Sequence, residues 1–140
     1  MRIYLDANFF IAYVENPELD LSPVVRWCAR DGWRLVTSEF TLAEVLVLPL
    51  KIGDASLARS YEELMASEQV IQVMSVSRAV LMKCAEVRAT IGNRTPDAIH
   101  IATALLAGCD VFLSSDQRIR LPAGLRRVPL GNIAELDSKS

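Results

Sequence analysis

Four carboxylates in this chain stand where an apolar segment begins or ends. Asp6 closes "RIYLD", Glu44 lies in "TLAEVL", and Asp97 and Asp116 bracket "DAIHIATALLAGCDVFLSSD". Charge is expensive beside a core, and two bare negative charges about 5 Å apart repel by roughly 3 kcal/mol at an effective dielectric of about 20. If folding gathers these four, they cannot all remain bare anions. Either some keep a proton or a divalent cation lies among them. An all-oxygen donor set with no sulfur and no convergent histidine suits a hard ion, Mg2+ or Mn2+. The chemistry open to such a set is activation of water and stabilisation of negative charge developing on a phosphate.

Each acid taken alone has a plainer explanation. Asp6 or Asn8 can cap the helix that follows, and Thr41-x-x-Glu44 matches a capping box. Asp97 suits the first turn of a helix, and Asp116 suits a turn around "QRIR". Four independent caps, however, need not share one edge of a sheet. His100 lies one helical turn after Asp97 and is expected to be a hydrogen-bonded core or supporting residue rather than a metal ligand. Arg94, Arg118 and Arg120 flank two of the acids and are candidates for gripping phosphate, with Arg126 and Arg127 further out.

The elements that carry these residues alternate. "RIYLD" reads as a strand and "ANFFIAYVEN" as a helix stopped at Asn16-Pro17. A second helix starts near Pro23 and runs through "VVRWCARDG" to Gly32. "WRLVT" is a strand, and Ser38 to about Leu48 a helix ended by Pro49 and Gly53. Helical spacing runs from Asp54 to Ser67, "VIQVM" is strand-like, and Val76, Val80, Cys84, Val87 and Ile91 mark one stripe of a long amphipathic helix. After "GNRTP", Thr95 is expected to cap the helix "AIHIATALLAG", with Pro96 at its first position. "DVFLS" and "LRRVPL" are the last strands, the second at an edge, and the chain from about residue 134 is expected to fray. Strands alternating with helices predict an α/β fold, a parallel-stranded central sheet flanked by helices on both faces. Ligands bind such sheets beyond the carboxyl ends of the strands.

Composition sets the outer bounds. A chain of 140 residues, 51% of them hydrophobic, predicts a single domain with apolar surface left over for partners. A net charge of −2 gives no overall attraction to nucleic acid, so any such contact needs a local basic patch. Cys28, Cys84 and Cys109 are far apart in apolar surroundings, which supports neither a zinc site nor a disulfide framework. Asp6 interrupts the first apolar run, and no uncharged run approaches the roughly 20 residues of a membrane span. A soluble cytoplasmic protein is expected.

Taken in order, "IYLDANFFI", "TLAEVL", "RTPDAIHIATA" and "FLSSDQRI" resemble the four motifs of PIN-domain proteins, most closely the VapC-type toxins of type II toxin–antitoxin pairs. The resemblance spans Arg2 to about Pro129, and "TPDAIHIATA" is its most specific part. It implies a PIN-like three-layer α/β/α fold and a Mg2+- or Mn2+-dependent endoribonuclease acting on RNA. The positions of Asp6, Glu44, Asp97 and Asp116 correspond to the family's acidic metal site, supported by the hydroxyl at Ser114. Ser114-Ser115 stands where a Thr-Asn pair is commoner. On this basis Asp6 and Asp97 are expected to anchor the ion with help from Asp116, while Glu44 orients or deprotonates the attacking water. The resemblance also implies a homodimer and a cognate antitoxin that lays a segment across the acidic groove. The main alternative is a catalytically silent PIN-like module that binds RNA or protein. A haloacid dehalogenase-type phosphatase needs a DxD-type motif where this chain has "DAN", and a phosphoacceptor signalling domain needs a lysine that the last strand lacks.

Overall fold

The computed structural model describes residues 1–137. Its centre is a five-stranded sheet in the order β3-β2-β1-β4-β5, with every pairing parallel. The strands are β1 (Arg2–Leu5), β2 (Arg34–Ser38), β3 (Ile71–Met74), β4 (Val111–Leu113) and β5 (Arg126–Val128). Successive residues of a strand face opposite sides, and β1 divides accordingly. Ile3 and Leu5 enter one core, and Tyr4 enters the other.

The first face is covered by α1 (Ala7–Glu15), α2 (Ser22–Trp27) and α5 (Ala55–Met65), which contribute Phe9, Phe10, Val24, Trp27, Tyr61 and Met65. The second is covered by α6 (Arg78–Thr90) and α7 (Thr95–Leu106). Val80, Cys84 and Val87 of α6 are buried against α7, as the stripe predicted, while Val76 lies just before the helix behind its cap Ser77. α7 is buried continuously from Ala98 to Ala104. That explains its nearly uniform apolar composition: it lies between α6 and the sheet, with solvent on neither side. The sheet flanked on both faces is the architecture expected from the alternating pattern.

Four local expectations are corrected. α2 ends at Trp27, and turns rather than helix carry the chain to Gly32, whose φ of 79° suits glycine. The helix expected to run from Ser38 to Leu48 is two helices, α3 (Glu39–Val45) and α4 (Val47–Ile52), and Pro49 lies inside the second. A proline ring clashes with the carbonyl four residues earlier, here Val45, so a continuous helix cannot pass. In the first turn of a new helix the missing N–H is harmless. Thr95 is the first residue of α7 rather than its cap; extended Arg94 holds that place, and its carbonyl accepts from Ala98 at 2.9 Å. Finally, Ala134–Asp137, expected to fray, form α8 with Leu136 fully buried. Residues 138–140 of the same expected tail lie outside the described residues.

Asp137 fastens α8. It accepts from the indole N–H of Trp27 at 2.7 Å and from Arg30 at 3.1 Å, and these partners hold its carboxyl below the ordinary range, the Trp27 bond foremost. Changing Asp137 to Ala leaves the buried indole donor unpaired, and a loss of about 1–3 kcal/mol is expected. Urea denaturation of the two proteins measures it; equal midpoints would mean that α8 does not dock.

Candidate active site

The sheet changes direction of growth at β1. β2 and β3 extend to one side of it, β4 and β5 to the other. Loops leaving the carboxyl ends of β1 and β4 therefore part company and open a crevice, the usual ligand position in such sheets. Asp6 follows β1 directly, and Asp116 follows β4. α3 starts from the same rim after β2 and carries Glu44. α7 descends from the rim toward the start of β4 and carries Asp97 in its first turn. A cavity of about 190 Å³ lies at this point, and Asp6, Glu44, Asp97, His100, Asp116, Arg94 and Arg118 all line it.

The four acids do not share one environment. Asp6 is 4% exposed, and burial raises its carboxyl above the ordinary value. The hydroxyl of Ser114 pulls the other way, as do the amides of Phe9 and Asn8. Asp6 is also the cap of α1, accepting from Phe9 N–H at 3.3 Å, so the plainer explanation holds alongside the functional one. Asp116 is held low, chiefly by Arg118. The guanidinium meets both its oxygens at 3.1 Å, and the Arg118 amide adds a third bond at 3.0 Å. Asp97 has Arg94 beside it at 3.5 Å.

Glu44 takes part in no capping box. Ser38 caps α3, and the Thr41 hydroxyl bonds to that of Thr37 at 2.8 Å. The carboxylate of Glu44 instead meets His100 Nε2 at 2.5 Å, and His100 Nδ1 meets the Tyr4 hydroxyl at 2.6 Å. Burial raises the Tyr4 phenol well above its usual value, so it keeps its proton and donates to Nδ1. A neutral imidazole then carries its proton on Nε2 and directs it to Glu44. Edge contacts from Tyr4 and Phe40, both at 5.7 Å, fix the ring. His100 is thus the hydrogen-bonded supporting residue expected from sequence. Tyr4 was missed. Its signal was a hydroxyl-bearing aromatic between Ile3 and Leu5, on the strand that ends in Asp6.

Ser114 is fully buried, and its oxygen accepts from the amide of Asp116 at 3.2 Å. Ser115, at the position where the sequence departs from the commoner pair, accepts from the amide of Leu130 at 2.9 Å. It ties the loop after β4 to the segment after β5. Arg120 lies just outside the acidic cavity in an adjoining one. Arg126 pairs with Glu135 at 3.1 Å on the far edge strand.

Among the described residues, no three Asp, Glu, His or Cys side chains stand close enough to hold one ion. Arg118 and His100 occupy, by ion pair and hydrogen bond, oxygens of Asp116 and Glu44 that a cation would otherwise take. The donor set still fits a hard cation: it is all oxygen, it lines one cavity, and Mg2+ keeps several waters and needs only one or two carboxylates from the protein. Glu44, Asp97 and Asp116 have side-chain exposures of 32, 20 and 17%, open enough to be reached from solvent.

The fold is similar to those of chains in three solved complexes. These are VapBC2 from Rickettsia felis bound to a DNA fragment from its promoter (TM-score 0.72, 14% identity, 92% of this chain and 98% of that one), a toxin–antitoxin complex from Klebsiella pneumoniae (0.69, 17%, 89% and 95%) and DNA-bound VapBC from Salmonella typhimurium (0.65, 19%, 93% and 98%). No curated protein sequence matches the chain. The PIN domain family model matches residues 3–125. That match takes in all four candidate acids and most of the polypeptide, and the chain belongs to the PIN domain family.

Proposed function

We propose that the protein is a metal-dependent endoribonuclease, the toxin of a toxin–antitoxin pair, acting in the cytoplasm on RNA phosphodiester bonds. The observation that carries this reading is the meeting of Asp6, Glu44, Asp97 and Asp116 around one cavity at the switch point of a PIN fold. The complexes it resembles, one of them described as a toxin–antitoxin complex, support the pairing with an antitoxin. Asp6 and Asp97 would hold Mg2+ or Mn2+, with Asp116 helping directly or through water. The ion would supply charge stabilisation at the phosphate. Glu44, aimed by His100, orients the attacking water and takes its proton. Buried Ser114 fixes the loop that carries Asp116 and steadies Asp6. Arg94, Arg118 and Arg120 line the approach and bear the charge that phosphate needs.

The test is incubation of the purified chain with total RNA in Mn2+ and in chelator, followed by sequencing of the new ends. Cleavage confined to the Mn2+ sample is expected, and intact RNA in both would sink the reading. A silent binding module is the second reading, favoured by the absence among the described residues of a ready three-donor group. Calorimetric titration with Mn2+ separates the two, since a silent module need not bind the ion at the acids.

The surplus of apolar surface supports a homodimer. Val47, Leu48, Leu50 and Ile52 of α4 are 49–71% exposed, and Ile11 and Tyr13 of α1 are also open. Single exposed apolar residues are ordinary, but four on a six-residue helix are not. Leu50→Asp is expected to convert the dimer to a monomer in analytical ultracentrifugation with no change in far-ultraviolet dichroism. An unchanged sedimentation coefficient would move the interface elsewhere.

A further inference from the structure

Asp116 is not free to receive a cation. Arg118, two residues on, grips it with Nε on Oδ1 and Nη2 on Oδ2, both at 3.1 Å, and its amide also bonds Oδ1. The carboxylate is mostly enclosed, with 17% of its side chain exposed, whereas the arginine is 81% exposed. A planar fork on a carboxylate is a geometry only arginine makes. With its far side in water, the fork holds weakly.

A second cavity of about 350 Å³ adjoins the acidic one, lined by Asn93, Arg94, Asp97, Arg118 and Arg120. Three of its five lining residues are arginines. Two of its walls are tied together. Asn93, in the left-handed region at φ 78°, donates its side-chain amide to Arg120 carbonyl at 2.9 Å and accepts from the Arg120 amide at 2.8 Å. This reciprocal pair clasps the turn before α7 to the loop after β4. The Arg120 guanidinium reaches back over Gly92, where a side chain would meet it at 3.3 Å.

We propose that Arg118, which lines both cavities, is a two-position side chain: it latches Asp116 while the acids lack a cation, and once a divalent ion takes Asp116 its freed guanidinium binds, with Arg94 and Arg120, a backbone phosphate of the RNA in the adjoining cavity. The proposal rests on the metal-dependent nuclease reading and adds to it an internal competitor at the acids. It makes two measurable quantities depend on one residue. Cation affinity is reduced by the latch, and phosphate affinity appears in full only with the cation bound.

The experiment uses the full chain and three variants, Arg118→Gln, Arg118→Lys and Arg120→Gln. Mn2+ binding is followed by calorimetry. Binding of a short single-stranded RNA is followed against salt with and without Mn2+, in a Glu44→Gln background to prevent cleavage. Arg118→Gln is expected to bind Mn2+ about two- to fivefold more tightly, the range that an exposed ion pair allows. Arg118→Lys keeps the charge but not the fork, and is expected to tighten Mn2+ as well. Arg120→Gln is expected to leave Mn2+ unchanged. Both glutamine variants are expected to lower the salt slope of RNA binding by about one when Mn2+ is present, and Arg118→Gln to leave it unchanged when Mn2+ is absent. Equal tightening in Arg118→Gln and Arg120→Gln would reveal a general field effect and overturn the latch, as would unchanged Mn2+ affinity in Arg118→Gln. A chain that binds Mn2+ and cuts RNA while showing either result defeats this proposal alone. A chain that binds no Mn2+ defeats the nuclease reading with it.

Discussion

Asp6→Asn is expected to lower Mn2+-dependent RNA cleavage by more than about 100-fold, the upper figure for losing an outer partner of a metal ligand, and to leave the folded protein at least as stable at neutral pH. The two halves follow from different features. Asparagine offers one neutral oxygen where the proposed site needs an anion, so a hard cation loses an anchor. The fold does not need the charge: asparagine caps helices as well as aspartate does, and the bond from Phe9 N–H to the side chain survives.

Burial raises the Asp6 carboxyl above its ordinary value near 3.8, so the folded state favours its protonated form. Its contribution to stability is full below the unfolded value and is lost as pH rises through the higher folded value. Once pH passes the folded value, the wild type bears a buried anion that Asp6→Asn does not. Thermal melts in chelator from pH 4 to 7 measure this: the difference between variant and wild type should grow with pH in the variant's favour. A variant that melts lower at pH 7 would show that the charge is compensated in the fold, and undiminished cleavage would remove Asp6 from the site.

His100→Ala is expected to reduce cleavage by about 10- to 100-fold and stability by about 1–3 kcal/mol. The imidazole stands between Glu44 and Tyr4 at 2.5 and 2.6 Å, so its removal frees the carboxylate to swing and leaves the fully buried phenol without a partner on that side. Tyr4→Phe separates the two consequences. It keeps the packing on Phe112, stacked at 5.2 Å, and removes only the bond that sets the tautomer. If His100 acts through Glu44, the double variant His100→Ala, Glu44→Gln should be no slower than Glu44→Gln alone, because residues acting as a unit are not additive. Multiplied losses would assign His100 a separate part in the reaction. Both are read as kcat/KM on a defined RNA, with urea denaturation alongside.

Three of the acids were legible in the sequence because Asp6, Asp97 and Asp116 each close or open a strongly periodic segment, while Glu44 lies inside one. Asp6 after "IYL" and Asp116 after "VFLSS" mark strand ends, and "TPD" marks a helix start, so a parallel sheet needs little more to bring them to one rim. What surrounds them was not legible. The grip of Arg118 on Asp116 is local in sequence, yet the pattern "DQR" reads equally well as a solvated turn. The bond between Glu44 and His100 spans 56 positions, and the capping-box spacing of Thr41 and Glu44 pointed to a different partner. "AELD" is polar and short, and on sequence alone it predicts a frayed end where the structure has α8. Its anchor is Trp27, 110 positions earlier, which no local pattern reports. Pro49 misled for a related reason. A proline stops a helix or sits in the first turn of one with equal ease, and only the break at Leu46, which caps both α3 and α4, decides for the second.

The central strand precedes the other four in the chain, yet one of its two partners arrives more than 100 positions later. β1 pairs on one side with β2, through Ile3 and Leu35, and on the other with β4, through Ile3 and Val111. Closing the second, much longer loop adds only slowly to the entropy of folding, but it sets a non-local contact at the heart of the molecule, the kind that slows folding. Until β4 arrives, one edge of β1 is an open template for unwanted strand pairing. The same delay keeps Asp116 away from Asp6, so in a growing or half-folded chain the acidic rim of the proposed site is incomplete until β4 joins the sheet.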